Sequence, residues 1–346
     1  MAKTEPLFPI LETNAETKTL HGLAAAAAAA PLDSTGCLTE YRPLKSRSVI
    51  SKVNSNRGMP FTHAINPYRG CEFGCRYCYA RYTHEFLEMR DPEEFERKIY
   101  FKENAAWLLE QELRRLPAGT QIALGTATDP YQPLERRQRL TRGLLEVFAR
   151  HSGFRLGIVT KSALVARDVD LLTEIRKRNR LTVHVTVTTM NTALARKLEP
   201  RAPRPDLRIQ TIALLREAGV RTGVMCSPLM PGITDSRSSI EAVARAAAGA
   251  GAEFLVAGAL FLKPCSLPTF LKFVKENFPG HLESYQRRYG TRAFVSAEYR
   301  KRVAGIVAAI CGKYGLGRKR TEEPYAEDRA AAENVALQPW LPFNGS

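Results

Sequence analysis

The chain has 346 residues and carries 51 Lys and Arg against 35 Asp and Glu, so its formal net charge is +16. Its hydrophobic fraction of 44% and charged fraction of 25% exclude a wholly disordered or collagen-like chain. No apolar run reaches the roughly 18 residues that cross a bilayer, and residues 1–30 lack the basic and then apolar pattern of a secretory signal. We therefore expect a cytoplasmic protein with no membrane partner and a core large enough for an enzyme.

The first 58 residues predict a poorly structured leader. They contain the alanine tract Ala24–Ala30 and otherwise Ser, Asn, Gly and Arg without clear periodicity. An isolated helix as short as this tract is marginal in water. We therefore interpret the tract as a tolerated low-complexity insertion.

Residues 59–280 alternate between short β-rich runs and amphipathic helical stretches. The predicted strands are Thr62–Asn66, Ile122–Gly125, Leu156–Thr160, Thr182–Thr188, Arg221–Cys226 and Phe254–Gly258. The predicted helices lie near Glu103–Leu116, Leu140–His151, Val165–Lys177, Pro205–Ala218, Arg237–Ala248 and Thr269–Asn277. This alternation predicts an α/β fold with a parallel sheet and right-handed crossovers. Six units are too few for the eight-stranded barrel, which leaves an open partial barrel or a doubly wound sheet.

Polar segments rich in Gly or Pro follow each predicted strand. Residues 126–133 follow the second strand, Lys161 and Ser162 follow the third, and residues 188–191 follow the fourth. In a parallel sheet the carboxyl ends of the strands share one edge. We therefore expect the functional side chains of these loops to converge on one mouth.

Seven cysteines occur in the chain, and three of them are clustered in the loop after the first predicted strand. An odd number without a secretory signal argues against a disulfide framework. The clustered residues are Cys71, Cys75 and Cys78, with a spacing of three and then two residues, and Gly70 and Gly74 allow the backbone to curl tightly around them. Three thiolates suit a cubane iron–sulfur cluster that leaves one iron open.

Two other classes of protein remain open at this point. Structural zinc normally takes four protein ligands, and Cys226 or Cys265 could supply a fourth ligand to a zinc-binding nucleic-acid protein. The three cysteines could also hold the cluster of a simple iron–sulfur electron carrier. These alternatives differ from an enzyme in that neither cleaves a cofactor.

The cysteine spacing, with the aromatic Tyr77 just before the third cysteine, resembles the hallmark of the radical S-adenosylmethionine (radical SAM) superfamily. Within it, the chain is similar to the spore photoproduct lyase-related, DNA repair photolyase-like branch. The segments that carry this resemblance are Asn66–Cys71, Thr128–Glu135, Thr160–Ser162 and Ser227–Asp235. The resemblance covers about residues 60–280. It implies a partial (β/α)6 TIM-like barrel for residues 59–280. Composition and charge add a disordered leader, residues 1–58, and a small basic helical C-terminal extension with an acidic tail, residues 281–346.

The resemblance also implies two cofactors. Cys71, Cys75 and Cys78 would ligate a 4Fe-4S cluster whose open iron is chelated by S-adenosylmethionine. An external flavodoxin- or ferredoxin-type donor would supply one electron, and the resulting 5′-deoxyadenosyl radical would abstract hydrogen from a substrate. In such enzymes the hard chemistry belongs to the cofactor, while the protein binds, orients and shields.

A set of S-adenosylmethionine contacts follows from the same resemblance: Tyr77, Thr126, Thr128, Asp129, Lys161 and Thr188. The aromatic residue would pack near the adenine, and the loop with Asp129 would bind the methionine ammonium. Lys161 would pair with the carboxylate or the ribose. Simpler structural roles remain open for each of these side chains, such as a turn at Asp129 and strand packing for Thr188.

Tyr79 is the candidate catalytic residue, because it matches a tyrosine implicated in the radical relay of spore photoproduct lyase. That enzyme also carries a cysteine in the loop after its second strand, whereas residues 125–129 of this chain contain no thiol. Tyr79 cannot replace the missing thiol alone. Repair of the spore lesion is therefore not expected, and a structural role is favoured for Cys226 at the end of the fifth strand.

Positive charge is concentrated in residues 281–320, which hold ten Lys and Arg against two Glu. Tyr285, Tyr289, Tyr299 and Tyr314 are interleaved with them, and a second basic stretch, residues 136–142, lies beside the loop after the second strand. Basic side chains neutralise phosphates and aromatic rings stack on bases, so a nucleic acid is the candidate substrate. A solvated basic surface is the alternative. The acidic tail after Thr321 is a candidate to fold over the basic segment.

Overall fold

The computed structural model describes residues 20–53 and 60–317. Its strands are β1 Ser34–Thr35, β2 Glu40–Pro43, β3 Ile50–Lys52, β4 His63–Ile65, β5 Tyr68–Arg69, β6 Lys98–Phe101, β7 Gln121–Leu124, β8 Arg155–Thr160, β9 Arg180–Thr186, β10 Thr222–Leu229 and β11 Leu255–Ala259. Its helices are α1 Gly22–Ala29, α2 Glu94–Arg97, α3 Ala105–Leu113, α4 Glu135–Gln138, α5 Leu140–Arg150, α6 Val169–Arg178, α7 Thr192–Leu198, α8 Pro205–Glu217, α9 Arg237–Gly249, α10 Leu267–Asn277, α11 Leu282–Tyr289 and α12 Ala297–Tyr314. Short 3-10 segments cover Tyr79–Leu87, Ala163–Asp168 and Pro279–His281.

The main sheet has seven strands in the order β11-β10-β9-β8-β7-β4-β3. Six of them are parallel, and β3 pairs antiparallel with β4 at one edge. The six parallel strands correspond to the six predicted strands, and α3, α5, α6, α8, α9 and α10 correspond to the predicted helices. The strand order runs in one direction without the reversal that defines a doubly wound sheet. The partial (β/α)6 barrel is therefore confirmed.

The helices pack on the sheet through apolar faces with helical spacing. In α5 the buried residues Leu144, Leu145 and Phe148 recur every three or four positions, while β8 alternates buried and partly exposed residues. These side chains belong to one large core. The core holds the strands in place, so that their carboxyl ends present loops at a common edge.

The prediction of a poorly structured leader is wrong for the part of residues 1–58 that the structure describes. The alanine tract forms α1, β2 pairs with β6, and β3 extends the main sheet. Ala27 and Ala30 are buried in a small cluster with Leu44, Leu87 and Tyr100. This packing supplies the stability that an isolated short helix lacks. Residues 1–19 and 54–58 lie outside the described residues.

The basic segment after residue 280 belongs to the same core as the barrel, rather than forming an extension apart from it. Its tyrosines are not exposed stacking faces, because Tyr285, Tyr289 and Tyr299 are buried and donate hydrogen bonds to Pro231 O, Leu260 O and Asp235 Oδ2, respectively. The fourth, Tyr314, is partly buried and donates to Glu241. Residues 318–346, including the last basic run and the acidic tail, lie outside the described residues.

Among the helices of residues 20–53 and 60–317, none combines the length and the apolar character needed to cross a bilayer.

His84 makes the stability of this fold dependent on pH. Its ring is buried against Phe95 and Tyr100, and burial lowers its pKa from 6.5 to about 4. The folded state binds a proton at His84 less tightly than the unfolded state does. The contribution of the neutral ring to the free energy of unfolding is therefore fully present above pH 6.5 and is lost as the pH falls towards 4. We expect a loss of up to about 3 kcal/mol in the free energy of unfolding across this window.

Equilibrium urea unfolding between pH 7 and pH 4.5 measures this effect. The His84→Gln variant does not titrate and is expected to show a shallower pH dependence, even if it is less stable at pH 7. Equal slopes for the variant and the wild type would contradict the assignment.

Candidate active site

A cavity of about 210 Å³ opens at the carboxyl ends of the parallel strands. Its walls come from the cysteine loop and from the residues at or after the ends of β7, β8, β9, β10 and β11: Cys71, Cys75, Tyr77, Cys78, Tyr79, residues 125–129, residues 159–161, Thr186, Met225, Ser227, Pro228 and residues 258–261. The loops therefore converge on one mouth, as the alternation of strands and helices predicts.

The cysteine loop is held by backbone hydrogen bonds and by close glycine packing. The N–H of Cys71 donates to Phe95 O at 3.0 Å, and the N–H of Cys78 donates to Cys75 O at 3.1 Å. Gly70 has φ +82°, and a Cβ atom there would lie 2.7 Å from Phe95 O. Only glycine fits this position without displacing the backbone, because an L side chain is strained at this φ and would collide.

The three cysteines of the loop face the same cavity. Cys71 and Cys75 are buried, and Cys78 is partly exposed. Burial raises the pKa of all three thiols, that of Cys75 to about 12. Iron binds thiolates, so loading a cluster displaces these protons and offsets the cost of burying the thiols. Three thiols that line one open cavity fit a cubane cluster with one iron left for a further ligand.

The zinc alternative gains no support from the described residues. Within residues 20–53 and 60–317, no group of three or more His, Cys, Asp or Glu side chains converges on the position of a single metal ion. Cys226 is buried within β10, Cys265 lies beside Ser266, and neither belongs to the cavity wall. The described residues therefore include no ligand set, with either cysteine as the fourth member, that would complete a structural zinc site.

The loop after β7 is fixed through its polar side chains. Asp129 accepts hydrogen bonds from Thr160 Oγ1 at 2.7 Å, from the Lys161 N–H at 2.7 Å and from the Tyr131 N–H at 2.9 Å. Burial nevertheless raises its pKa. Thr128 donates to Gly70 O at 2.6 Å, which ties this loop to the cysteine loop. Asp129 thus opens a turn and also lines the cavity. The structure is therefore compatible with both the turn role and the cofactor-binding role of this residue.

Two further side chains that the resemblance predicts as cofactor contacts, Thr126 and Lys161, lie in the cavity wall. Thr126 accepts a hydrogen bond from Asn66 Nδ2 at 3.3 Å. Lys161 holds its ammonium 5.7 Å from the centroid of the Tyr77 ring. Burial disfavours the charge of Lys161, but Cys75, Glu199 and Asp129 together raise its pKa above the usual value. The lysine is therefore a cation beside the predicted adenine-binding ring.

Tyr77 is anchored by a buried ion pair that the sequence does not reveal. Its hydroxyl donates to Glu199 Oε1, and Arg208 Nη1 lies 2.6 Å from Glu199 Oε2. Burial opposes the charge of Glu199, but Arg208 and Lys161 hold the pKa of this carboxyl below its usual value. Glu199 directly follows α7, in a proline-rich stretch, and Arg208 lies in α8. No sequence motif therefore marks the two residues as a pair.

Thr188 is not part of the described cavity wall. Its hydroxyl donates to Glu199 Oε1 at 3.1 Å, behind Tyr77, and Thr186 faces the cavity instead. The reason is that β9 ends at Thr186 and the chain then turns. The direct contact of Thr188 with the cofactor stays a prediction, and the contact that the structure shows is with Glu199, the residue that holds Tyr77.

Tyr79 lies in the cavity wall with its hydroxyl donating to Thr126 O and its ring 5.0 Å from that of Phe261. Burial raises its pKa, so the phenol is neutral. In the described part of the wall, the thiols are those of the three loop cysteines alone. The structure thus agrees with the sequence that no additional thiol follows the second strand of the barrel.

An aromatic wall and one arginine complete the cavity. Sequence reasoning missed the aromatic wall and placed the arginine only within the basic segment, residues 281–320. Phe261 and Phe294 stack with their ring centroids 5.4 Å apart, and Phe61 also lines the wall. Arg300, at the start of α12, lines the same cavity. The segment after residue 280 contributes to the site because it packs over β11, and no pattern in the sequence indicates this long-range contact.

Comparison with known families finds a match within the barrel. The model of the Radical SAM superfamily matches residues 65–245, more than half of the chain. The chain belongs to the radical SAM superfamily. Membership implies a 4Fe-4S cluster and S-adenosylmethionine, and radical SAM enzymes take their electron from an external donor.

Relatives of this radical SAM protein occur in distant organisms. An uncharacterized protein of Mycobacterium tuberculosis is 34% identical over 290 residues, which is 83% of this chain and 85% of the relative. An uncharacterized protein of Methanocaldococcus jannaschii is 30% identical over 173 residues, 50% of this chain and 62% of the relative.

Solved structures agree on the fold. A mutant of spore photoproduct lyase superposes with a TM-score of 0.57 at 18% identity and covers 79% of each chain. Another mutant, with bound AdoMet and dinucleoside spore photoproduct, superposes with a TM-score of 0.55 at 15% identity and covers 78% of each chain. At these identities the similarity establishes a shared fold.

Proposed function

We propose that this protein is an enzyme that binds a 4Fe-4S cluster through Cys71, Cys75 and Cys78 and uses S-adenosylmethionine to abstract hydrogen from a substrate. The observation that carries the proposal is that the three thiols and the loops after β7 and β8 line one cavity. When bound, the cluster and S-adenosylmethionine supply a 5′-deoxyadenosyl radical. The chain contributes binding, orientation and shielding.

Each role in binding S-adenosylmethionine rests on a cavity position. Tyr77, held by Glu199, offers an aromatic face for the adenine. The loop with Thr126, Thr128 and Asp129 offers oxygen acceptors for the ammonium group. Lys161 offers a cation for the carboxylate or the ribose. Thr188 acts through Glu199, so we assign it to positioning.

Tyr79 is the proposed catalytic residue of this site. Its neutral phenol borders the cavity and is oriented by the hydrogen bond to Thr126 O. The described wall offers no further thiol to return hydrogen to a product radical. We therefore do not propose repair of the spore lesion, and the reaction is defined only as hydrogen abstraction.

Formation of 5′-deoxyadenosine tests the proposal. The protein is reconstituted anaerobically with iron and sulfide, reduced with titanium(III) citrate and incubated with S-adenosylmethionine, and the products are separated by chromatography. A loaded, reduced cluster without 5′-deoxyadenosine would support an electron carrier. Stoichiometric zinc without sulfide would support the zinc-binding protein. Either result would overturn the proposal.

We further propose that the substrate is a nucleic acid. The support is an aromatic wall that includes Phe261 and Phe294, a cationic edge at Arg300, and the positive charge of the chain. The buried tyrosines of the C-terminal segment no longer contribute to this argument. Arg300 carries it instead, because it borders the cavity and no ion pair links it to an acid within the described residues.

Salt dependence tests the nucleic-acid substrate. Binding of a labelled single-stranded oligonucleotide is expected to weaken by at least about tenfold between 50 and 200 mM salt. Arg300→Ala is expected to weaken binding further and to reduce the salt slope by about one. Arg178→Ala, an exposed arginine at the end of α6, is the matched control. Binding that does not depend on salt, or no binding at low salt, would reject the idea.

A further inference from the structure

The cysteine loop separates the cavity from a positively charged surface. Phe73, Cys75 and Tyr77 line the cavity, whereas Arg76, which lies among them in the chain, does not. The Arg76 side chain is 38% exposed instead. The loop therefore presents one side to the cluster site and the other side to solvent.

Positive charge on the outer side of the loop exceeds the negative charge beneath it. Glu96 is nearly buried and faces three guanidinium groups, at 3.0 Å from Arg81, 3.6 Å from Arg201 and 4.0 Å from Arg76. One carboxylate cannot neutralise three cations. Arg81 is buried, so the excess charge is carried by the two partly exposed arginines.

Two more cations widen this surface. Arg137 is 53% exposed and lies 5.2 Å from the centroid of the Tyr41 ring, and its nearest acid is Asp33 at 3.7 Å. Lys197 is exposed and directly precedes Leu198, whose carbonyl accepts the Arg76 N–H at 2.9 Å. We call Arg76, Arg137, Lys197 and Arg201 the basic face.

The acidic groups nearest the basic face are engaged within the fold. Glu72 is buried and accepts hydrogen bonds from the Tyr41 hydroxyl and the Leu134 N–H. Arg137 and Arg201 lie close enough to interact with its carboxylate electrostatically. The buried carboxylates hold the loop in place while the cations remain accessible. The surface over the cysteine loop is therefore positive.

We propose that the basic face is the docking site of an acidic one-electron carrier that reduces the cluster, an inference that rests on the proposed function. The carrier is oxidised by one electron and the cluster is reduced by one electron, across the loop segment that contains Arg76. Complementary charge accelerates the encounter and fixes the orientation of the carrier. None of the four side chains lines the cavity.

The test uses the reconstituted holoprotein and a bacterial flavodoxin as the acidic carrier. The double variant Arg137→Glu/Lys197→Glu reverses two charges outside the Glu96 cluster. Because Arg137 lies near Glu72 of the cysteine loop, equal iron and sulfide contents of the reconstituted variant and wild type show that the loop is intact. Arg178→Glu/Arg245→Glu, at exposed positions of α6 and α9, makes the same change of net charge elsewhere. Calorimetric titration at low salt gives the Kd, and stopped-flow absorbance follows oxidation of the flavodoxin hydroquinone.

The face variant is expected to raise the Kd and to slow flavodoxin oxidation by about tenfold or more, while the control variant changes both far less. Reduction of the cluster by titanium(III) citrate should be equal in all three proteins. An unchanged Kd, or equal weakening in the control variant, would overturn the docking site. Failure of the proposed function is a separate result, namely no 5′-deoxyadenosine from the wild type with titanium(III) citrate, whatever the flavodoxin binding.

Discussion

Replacing Cys75 by alanine is expected to reduce the formation of 5′-deoxyadenosine by more than about a hundredfold. Loss of a partner that merely supports a ligand costs up to about a hundredfold in metal affinity or activity, and loss of a ligand itself costs more. Cys75 lies in the cavity wall with Cys71 and Cys78, so two thiols would remain for the cluster. Iron and sulfide contents after anaerobic reconstitution should fall together with the activity.

The fold itself should survive this change. Cys75 makes no side-chain hydrogen bond within the described residues, and the backbone of the loop is held by hydrogen bonds to Phe95 O and Leu198 O. Far-ultraviolet circular dichroism of the apoprotein is therefore expected to match the wild type. A loss of activity with full iron and sulfide loading would show that Cys75 is not a cluster ligand.

Cys265→Ala is the matched control for a thiol outside the cavity. Cys265 lies beside Ser266 and does not line the wall, so the loaded cluster and the activity should be retained. The zinc-binding alternative predicts the opposite if Cys265 is the fourth ligand. Loss of metal in both variants would therefore contradict the assignment of a three-cysteine site.

Glu199→Ala is expected to lower the free energy of unfolding by about 3–5 kcal/mol, because it leaves the buried Arg208 guanidinium without its partner. The hydroxyls of Tyr77 and Thr188 lose their acceptor as well. Equilibrium urea unfolding of the apoprotein measures the loss. The affinity for S-adenosylmethionine should also fall, since Tyr77 is no longer held in place.

A second variant separates the uncompensated charge from the loss of packing. Glu199→Ala/Arg208→Met removes both charges and is expected to recover part of the stability, while the affinity for S-adenosylmethionine stays low. Glu174→Ala breaks an exposed ion pair with Lys177 and should change stability little. If Glu199→Ala unfolds as the wild type does, the ion pair does not stabilise this region.

How far the sequence predicts the site depends on the range of the contacts involved. The cysteine spacing and the polar residues after the second and third strands are local features, and the structure places the three cysteines, residues 126–129 and Lys161 in one cavity wall. Thr188 lies outside the described cavity wall because β9 ends at Thr186, two residues before the predicted end of the strand. The tyrosines after residue 280 failed as stacking faces because their burial depends on packing against distant loops.

The alanine tract shows the same limit for secondary structure. Its helix forms because Ala27 and Ala30 pack against Leu44, Leu87 and Tyr100, which are distant in the chain. Helix propensity describes the isolated segment, and there the nucleation cost dominates. Burial of apolar surface in the tertiary structure reverses that balance.

The net charge of +16 and the three clustered cysteines, together with the alternation of strands and helices, were determined by the sequence alone. The alternation predicted an α/β fold with a parallel sheet, and the resemblance of the cysteine spacing to the radical SAM superfamily implied the cofactors, because periodicity and ligand spacing are encoded over short distances. Only the tertiary structure decided where the charge lies, at Arg300 beside the cavity and at Arg76 and Arg201 outside the cysteine loop. It also decided that Glu199 and Arg208 support Tyr77, since a buried ion pair between separate elements exists only once the core has assembled.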